Sequence, residues 1–292
     1  MQWINQVDLR NWAERIGSRE QFPIMVRDLI FASARDIGDI QHLRFPGGES
    51  SQVRGYDGDL TMSSAFLTTT YVPAGRSIWE FGVNDDPAKK FRSDYAARIK
   101  DPAGKAERKK MTFVFVTPRN WDNPTQKLPN FLKQHKDKGD FADVNFIDGA
   151  MLETWLGEHS AVGAKHARLV LGHVPNLGAR GIEEFWVEFS NRYNPTLTEE
   201  VALAARAEQA QQIVEHLKSA RGSLVFIGDG PDEVSAVAVA AIRKSSEDIR
   251  RYIEARTLVV DSDTAGRTLT KADRCGFILS PTVQEVGGLL AQ

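Results

Sequence analysis

Alternation of apolar and polar residues predicts strands in the first half of the chain. In SIWEFG, alternation places the carboxylate of Glu80 on the face opposite the rings of Trp79 and Phe81. The run MTFVFV at 111–116 is continuously apolar, which is typical of a central strand covered on both faces. ADVNFID at 142–148 predicts a further strand.

Helical periodicity surrounds these strands. Residues 1–36 carry two amphipathic patterns, and GAMLETWLGEHSAV carries another. Lys90, Asp94 and Arg98 recur at every fourth position after SIWEFG, so one helix face would carry all three. The order helix, three strands, helix, strand, helix predicts an α/β core.

The second half of the chain predicts a separate α/β module. Residues 176–197 are turn-rich and then aromatic, and we interpret them as a linker between a domain at 1–175 and a module at 198–292. In that module SLVFIG, RTLVVD and CGFILS alternate with helical patterns, which predicts a parallel sheet. Because only three strands are accounted for, we expect the module to be incomplete or to be completed by a partner, such as an identical subunit.

Composition narrows the functional classes. The chain has 292 residues, a net charge of −2 and one cysteine, Cys275, which excludes an internal disulfide and a multi-cysteine zinc site. No apolar run approaches the roughly 18 residues of a membrane span, and the N-terminus lacks the pattern of a signal peptide. We therefore expect a cytoplasmic protein with no membrane partner.

Two carboxylates suggest a metal site. Asp57, beside the glycines of GYDG, and Glu80 belong to neighbouring predicted strands. Converging carboxylates suit Mg²⁺ or Mn²⁺, which can polarise a scissile phosphate and lower the pKa of an attacking water. In the alternative interpretation, Asp57 supplies the side-chain hydrogen bond of a turn and Glu80 is the solvent-facing residue of an edge strand.

A basic run follows Glu80. Between Lys89 and Lys110 there are nine lysines and arginines against three acidic residues. Such a run either binds a phosphate backbone without sequence preference or forms a solvated helix face. The candidates for nucleic-acid binding are Lys89, Arg92, Arg98, Lys100, Lys109 and Lys110. Arg119 and Trp121, which follow MTFVFV, could clamp a nucleotide, although packing is the commoner role of a tryptophan.

GYDG, WEFG and KKFRSDY together resemble the catalytic segment of the PD-(D/E)xK nucleases, above all the Mrr-like effector nucleases of bacterial anti-phage and mobile-element proteins. The resemblance covers roughly the first 170 to 190 residues and implies a restriction-endonuclease-like core in which Asp57 and Glu80 bind Mg²⁺. Glu49 is either a third acidic ligand or a solvated loop residue. In that family a lysine two residues after the glutamate orients the attacking water, but Gly82 occupies this position. Lys90, with Lys89 as the alternative, is the candidate replacement.

The resemblance implies a metal-dependent DNA endonuclease, a phosphodiester hydrolase of antiviral defence that works with a homo-oligomeric partner or a further defence-system subunit. The signalling NTPases that follow such nucleases carry a Walker A loop, and this chain has GDGPDE instead. That loop lacks a lysine and holds Asp229, Asp232 and Glu233, which disfavours ATP binding and indicates a degenerate P-loop or Rossmann-like module. A catalytically inactive scaffold that binds nucleic acid or protein, and a regulatory ATPase, remain as alternatives.

Overall fold

The chain divides into two compact units. The computed structural model describes residues 1–46, 56–100, 102, 104–219, 224–226, 228, 230, 232–272 and 276–279. One unit comprises Ile4–Trp155, and the other comprises residues 1–3 with 156–292. The division falls earlier than the boundary near residue 175 that the sequence suggested. Among the described helices, none has both the length and the apolar character needed to cross a bilayer.

The first unit is a mixed α/β structure with a five-stranded sheet. Its elements, in chain order, are α1 (Gln6–Ala13), α2 (Ser18–Ser33), a 3₁₀ turn (Ile37–Asp39), β1 (Ile40–Arg44), β2 (Gly58–Met62), β3 (Arg76–Phe81), α3 (Pro87–Ile99), α4 (Lys105–Arg108), β4 (Thr112–Val116), α5 (Leu128–Lys136), β5 (Asp143–Ile147) and α6 (Gly149–Glu158). The predicted order helix, three strands, helix, strand, helix is therefore incomplete, because the structure adds a further strand and helix to it.

The strands of this sheet lie side by side in sequence order. The pairs β1–β2 and β2–β3 are antiparallel, whereas β3–β4 and β4–β5 are parallel. The change of direction falls at β3, the middle strand, which is paired on both sides. Because α3 connects two parallel neighbours, β3 and β4, it crosses over the sheet and covers one of its faces.

Strand alternation divides the side chains of β3 between the two faces of the sheet. Phe81 contacts Phe22 of α2, with ring centroids 5.5 Å apart, and Trp79 packs against Phe45 on the same side. Ile78 points to the other face, where it joins the buried aromatic cluster formed by α3, β4, α5 and β5. Glu80 has the same parity as Ile78, so it lies on the face that α3 covers.

One stripe of residues on α3 packs against the sheet, and the neighbouring stripe carries charged side chains. Phe91 and Tyr95 are buried and contact Phe113 of β4 edge to face. The residues directly preceding these two, Lys90 and Asp94, therefore lie on the neighbouring stripe of the helix. The aromatic packing thus fixes the rotation of α3 and with it the direction of the charged stripe.

The second unit is also α/β, with a three-stranded sheet in the order β6–β7–β8. The elements that follow α6 are α7 (Ser160–Leu171), β6 (Ala179–Gly181), α8 (Ile182–Ser190), α9 (Glu199–Ala202), α10 (Ala207–Ser219), α11 (Glu233–Lys244), α12 (Glu247–Glu254), β7 (Thr257–Val260), α13 (Asp263–Ala272) and β8 (Gly276–Leu279).

This unit departs from the predicted parallel module in two ways. Residues 176–197, interpreted as a linker, contain β6 and α8, and β6 runs antiparallel to β7. In the part of this unit that the structure describes, the parallel pair is β7–β8. In the predicted strand SLVFIG, residues 224–226 are not in a strand, and Leu224 and Val225 are exposed. Both sides of β7 are occupied by β6 and β8, which leaves this segment no place beside the central strand.

Candidate functional site

Asp57 and Glu80 lie opposite each other on neighbouring strands. Gly58 pairs with Trp79, so the antiparallel register brings Asp57 across from Glu80 and directs both side chains to the same face. The backbone N–H of Phe81 donates a hydrogen bond to Asp57 Oδ2 at 3.1 Å. This bond holds the Asp57 carboxylate against β3. The turn interpretation of Asp57 is therefore replaced by a contact between strands.

Glu80 is among the most buried charged residues of the unit. Its side chain is 2% exposed, because β3 is the middle strand and α3 covers its face. The interpretation of Glu80 as a solvent-facing residue of an edge strand is thus wrong. The guanidinium of Arg98, on the last turn of α3, donates from Nε to Glu80 Oε1. The same guanidinium lies 5.3 Å from the ring centroid of Tyr56, the residue before Asp57.

The surroundings of Glu80 favour its neutral form. Burial is the largest cause and raises the pKa of the Glu80 carboxyl from its ordinary value of 4.5 to about 8, and the negative charges of Asp57 and Asp94 act in the same direction. Arg98 opposes this rise in the pKa but does not outweigh it. A strongly shifted carboxyl beside a second carboxylate is characteristic of a functional site.

The side chain of Lys90 lies beside Gly82, the position at which the family pattern has a lysine. A Cβ atom added to Gly82 would lie 3.0 Å from Lys90 Cγ and 2.6 Å from Phe115 Cζ. The space beside Gly82 is thus filled by the ring of Phe115 and by the aliphatic stem of Lys90. Lys89, the alternative candidate, is exposed on the neighbouring stripe of the helix. The geometry therefore favours Lys90.

Asp94 joins Lys90 to the two carboxylates. Lys90 Nζ donates to Asp94 Oδ1 at 2.7 Å, and within the described residues the other oxygen of Asp94 is buried without a hydrogen-bond partner. Burial raises the pKa of the Asp94 carboxyl, although the ion pair with Lys90 acts against it. The charged stripe of α3 thus brings Lys90, Asp94 and Arg98 to the same face as Glu80.

The donor set suits a hard divalent cation. Asp57 and Glu80 offer carboxylate oxygens, and Mg²⁺ is commonly held by one or two carboxylates together with water and substrate phosphate. Within the described ranges, no group of three or more histidine, cysteine or acidic side chains has the geometry of a metal site. Glu49, the proposed third ligand, lies outside the described residues. Asp57 and Glu80 could therefore hold the ion, provided that Arg98 leaves Glu80.

The basic run separates into exposed and inward-facing residues. Arg98 contacts Glu80, and Arg108, which belongs to the same run, is buried. Arg92 is exposed, but its guanidinium lies over the ring of Phe131 at 5.4 Å from the centroid. The other candidate cations expose their side chains: Lys89, Lys100, Lys109 and Lys110, of which the last pairs with Glu107 at 3.1 Å.

Arg119 and Trp121 have structural contacts. The indole of Trp121 packs on Phe131 and Phe146 and donates to the carbonyl of Gln126 at 2.8 Å, so packing is its role. Arg119 forms ion pairs with Glu14 at 2.6 Å and Asp85 at 2.8 Å and lines a cavity of about 390 Å³. These pairs join segments far apart in the chain, so no sequence pattern predicts them.

The acidic residues of GDGPDE that the structure describes are paired with arginines of the second unit. Asp232 pairs with Arg192, and Glu233, the first residue of α11, pairs with Arg206. Asp229 lies outside the described residues. The described acids therefore have a structural role at the start of α11.

Comparisons of the chain with protein-family models, with curated proteins and with solved structures found no match.

Proposed function

We propose that the first unit is a metal-dependent endonuclease that hydrolyses DNA phosphodiesters. The observation that carries this proposal is the proximity of Asp57 and Asp94 to Glu80, since both raise its pKa, together with the ion pair of Asp94 with Lys90, whose stem lies beside Gly82. The change from antiparallel to parallel pairing at β3 agrees with the restriction-endonuclease-like core that the sequence resemblance implies. The second feature is independent of the motif residues that first suggested a nuclease.

Each residue has a distinct task in this proposal. Asp57 and Glu80 hold Mg²⁺ or Mn²⁺, which when bound polarises the phosphate and activates the water. Asp57 is presented by its hydrogen bond to the backbone of Phe81, and Glu80 by its rigid position in the middle strand. The ammonium of Lys90 orients the nucleophile and stabilises the negative charge that develops on the phosphate.

The exposed lysines supply affinity for the substrate backbone. Lys89 and Arg92 lie on α3, the helix that carries Lys90, and Lys100 is its C-cap. Lys109 and Lys110 follow α4. Lysine side chains contact phosphates without reading bases, so we expect binding that is independent of sequence and weakens with salt. Defence against phage or plasmids, with a homo-oligomeric or additional subunit, is the context that the resemblance implies.

One observation favours a second candidate function, an inactive nuclease-like scaffold. Arg98 occupies Glu80 Oε1 from within the chain, and Gly82 replaces the lysine of the family pattern. A site whose carboxylate keeps an internal counter-ion would bind nucleic acid or a protein partner without cutting. Retained binding does not distinguish the two candidates, because both predict it, whereas metal-dependent cleavage does.

The deciding experiment is cleavage of supercoiled plasmid by the full-length chain in Mg²⁺, Mn²⁺ or EDTA. We expect nicking and linearisation with either metal, none in EDTA, and a loss of at least about 100-fold in Asp57→Asn and Glu80→Gln. Asp59→Asn is the matched control, because Asp59 follows Asp57 by two residues on the same strand but pairs with Arg76 at 2.9 Å.

Three outcomes decide between the candidates. Cleavage that Asp57→Asn and Glu80→Gln abolish, and that Asp59→Asn retains, supports the nuclease. Cleavage that survives both site variants contradicts the assignment of the site. Plasmid binding without cleavage in any metal contradicts the nuclease and favours the scaffold.

A further inference from the structure

Arg98 and Glu80 differ in how firmly the structure holds them. Glu80 is fixed in the middle strand with 2% of its side chain exposed, whereas 24% of the Arg98 side chain is exposed. Arg98 occupies the last turn of α3, so its long side chain reaches Glu80 from the rim of the site. Rotation of the arginine side chain alone would separate the pair, without movement of either backbone.

A buried carboxylate needs positive charge beside it. Removing an ion from water costs several kcal/mol, and a partner must offset that cost or the group becomes neutral. In this structure the partner of Glu80 is Arg98, which occupies Oε1. A divalent cation held by Asp57 and Glu80 requires carboxylate oxygens at the same place, and its double charge would repel a guanidinium. Arg98 and the metal therefore compete for Glu80.

If the side chain of Arg98 left Glu80, it would remain close to Asp57. Its guanidinium lies over the ring of Tyr56, the neighbour of Asp57, and an aromatic face attracts a cation. Contact through Nε uses one of the five N–H donors of the group, whose planar fork matches two oxygens of a phosphate. The exposed fraction of Arg98 makes these donors accessible from solvent.

We propose that Arg98 is an exchangeable partner of Glu80, which donates to Oε1 until a divalent cation binds there and then holds a phosphate of the substrate DNA. The inference rests on the proposed nuclease function and adds to it a substrate-binding residue that metal binding makes available. It also explains why a site with an internal ion pair can still accept a metal.

The test is an NMR titration of the full-length protein labelled with ¹⁵N, with Mg²⁺ added to an EDTA-treated sample. The Nε–H signal of Arg98, assigned by its disappearance in Arg98→Lys, reports the pair with Glu80. We expect its protection against hydrogen exchange to fall at least about tenfold as Mg²⁺ is added. The Nε–H of Arg76 is an internal control, because it donates to Asp59 on the same two strands at 3.3 Å.

The backbone N–H of Phe81 reports metal binding separately, because it donates to Asp57 Oδ2. A shift of the Phe81 signal together with loss of Arg98 protection and an unchanged Arg76 signal supports the exchange. A Phe81 shift with unchanged Arg98 protection overturns the exchange and leaves the nuclease proposal intact. No change in either signal at millimolar Mg²⁺ overturns both, since Asp57 then binds no metal.

Substrate contact is tested with DNA that is bound but not cut, in Ca²⁺, by fluorescence anisotropy. Arg98→Gln should weaken binding about tenfold, Arg98→Lys should restore part of the loss, and Arg76→Gln should leave the affinity unchanged. Equal affinities for wild type and Arg98→Gln would overturn the phosphate-binding role. Circular dichroism of each variant separates a loss of contact from a loss of fold.

Discussion

Each unit contains a glutamate paired with an arginine, and the two pairs have opposite electrostatic character. In the first unit Arg98 pairs with Glu80, whose pKa rises to about 8 because burial outweighs the pair. In the second unit Arg243 pairs with Glu199 at 2.6 Å. Burial is the largest single cause there and raises the pKa of Glu199, but the hydrogen bond and charge of Arg243, together with a backbone hydrogen bond, outweigh it and lower the pKa. The same chemical pair thus favours opposite protonation states.

The pKa values of the two glutamates shift in opposite directions because the side chains differ in burial and in the charges around them. Glu199 is 21% exposed and retains contact with water, whereas Glu80 is 2% exposed and lies near Asp57 and Asp94. Arg243 also contacts Glu183 and lies over the ring of Trp186, so it belongs to a network of satisfied contacts. We interpret the Arg243–Glu199 pair, which belongs to a network of satisfied contacts, as structural. We interpret the Arg98–Glu80 pair, whose glutamate is buried beside two further carboxylates, as functional and able to exchange partners.

The largest effect should come from Lys90→Ala. If the lysine acts on the reacting phosphate, the cleavage rate under saturating DNA should fall about 100- to 1,000-fold while affinity changes little. Single-turnover plasmid cleavage measures the rate, and anisotropy in Ca²⁺ measures the affinity.

Lys89→Ala is the matched control for this variant, because it removes the same group from the adjacent, exposed position of α3. It should weaken DNA binding in a salt-dependent manner and leave the saturated rate within about threefold of wild type. The reverse result, a large loss of rate in Lys89→Ala and a small one in Lys90→Ala, would transfer the catalytic role to Lys89.

A smaller effect is expected on the pH dependence of the free energy of unfolding, measured in EDTA. The pKa of Glu80 is about 8 in the folded protein, and its ordinary value is 4.5. At a pH between 4.5 and 8, Glu80 is therefore protonated in the folded state and ionised in the unfolded chain. The free energy of unfolding must therefore fall as the pH rises from 4.5 to 8. Glu80→Gln removes this dependence, so at pH 8 the variant should exceed wild type by about 1 to 3 kcal/mol.

Urea unfolding followed by tryptophan fluorescence at pH 5, 6, 7 and 8 measures this difference. Glu199→Gln is the control, because the pKa of Glu199 shifts in the opposite direction. A lowered pKa stabilises the folded state at pH values above 4.5, and this stabilisation is lost as the pH falls. Glu199→Gln should therefore be less stable than wild type at pH 7. Parallel pH profiles for wild type and Glu80→Gln would show that Glu80 is ionised in the folded state throughout this range.

Local patterns predicted most of the sheet that carries the site. β3, β4 and β5 were expected from period-two or continuously apolar runs, and the structure has them within one or two residues of the predicted segments. β1 was not located, because IQHLR is mostly polar and exposed and lacks that pattern. The segment at 224–226 had a strand pattern but no strand partner, and pairing between distant segments decides that outcome.

The candidate site was predictable in its residues but not in its contacts. Motif spacing selected Asp57 and Glu80, and helical spacing grouped Lys90 with Asp94 and Arg98. The position of Arg98 in the basic run predicted a contact with the DNA backbone, whereas the structure pairs it with Glu80. That contact depends on how Phe91 and Tyr95 dock α3, and on the space beside Gly82, neither of which a one-dimensional pattern encodes. Tyr56 was missed, although its place beside Asp57 in GYDG was a usable signal.

The smallest effect should come from the structural pair of the second unit. Arg243→Ala removes ion pairs with Glu183 and Glu199 and the contact with Trp186, but these groups remain partly solvated. We expect a loss of about 1 kcal/mol at pH 7, measured by urea unfolding, because partly exposed pairs contribute little. The loss should shrink as the pH falls through the lowered pKa of Glu199, because protonation removes the charge with which Arg243 pairs.

Lys244→Ala is the control for this last variant, because Lys244 and its partner Glu200 are 52% and 65% exposed. That substitution should change stability less than Arg243→Ala does, since solvent screens both charges. A loss of several kcal/mol in Arg243→Ala would mean that the second unit also depends on a poorly solvated charge. The contrast between a functional pair and a structural pair would then have to rest on the direction of the pKa shift alone, and the pH profiles of Glu80→Gln and Glu199→Gln would decide it.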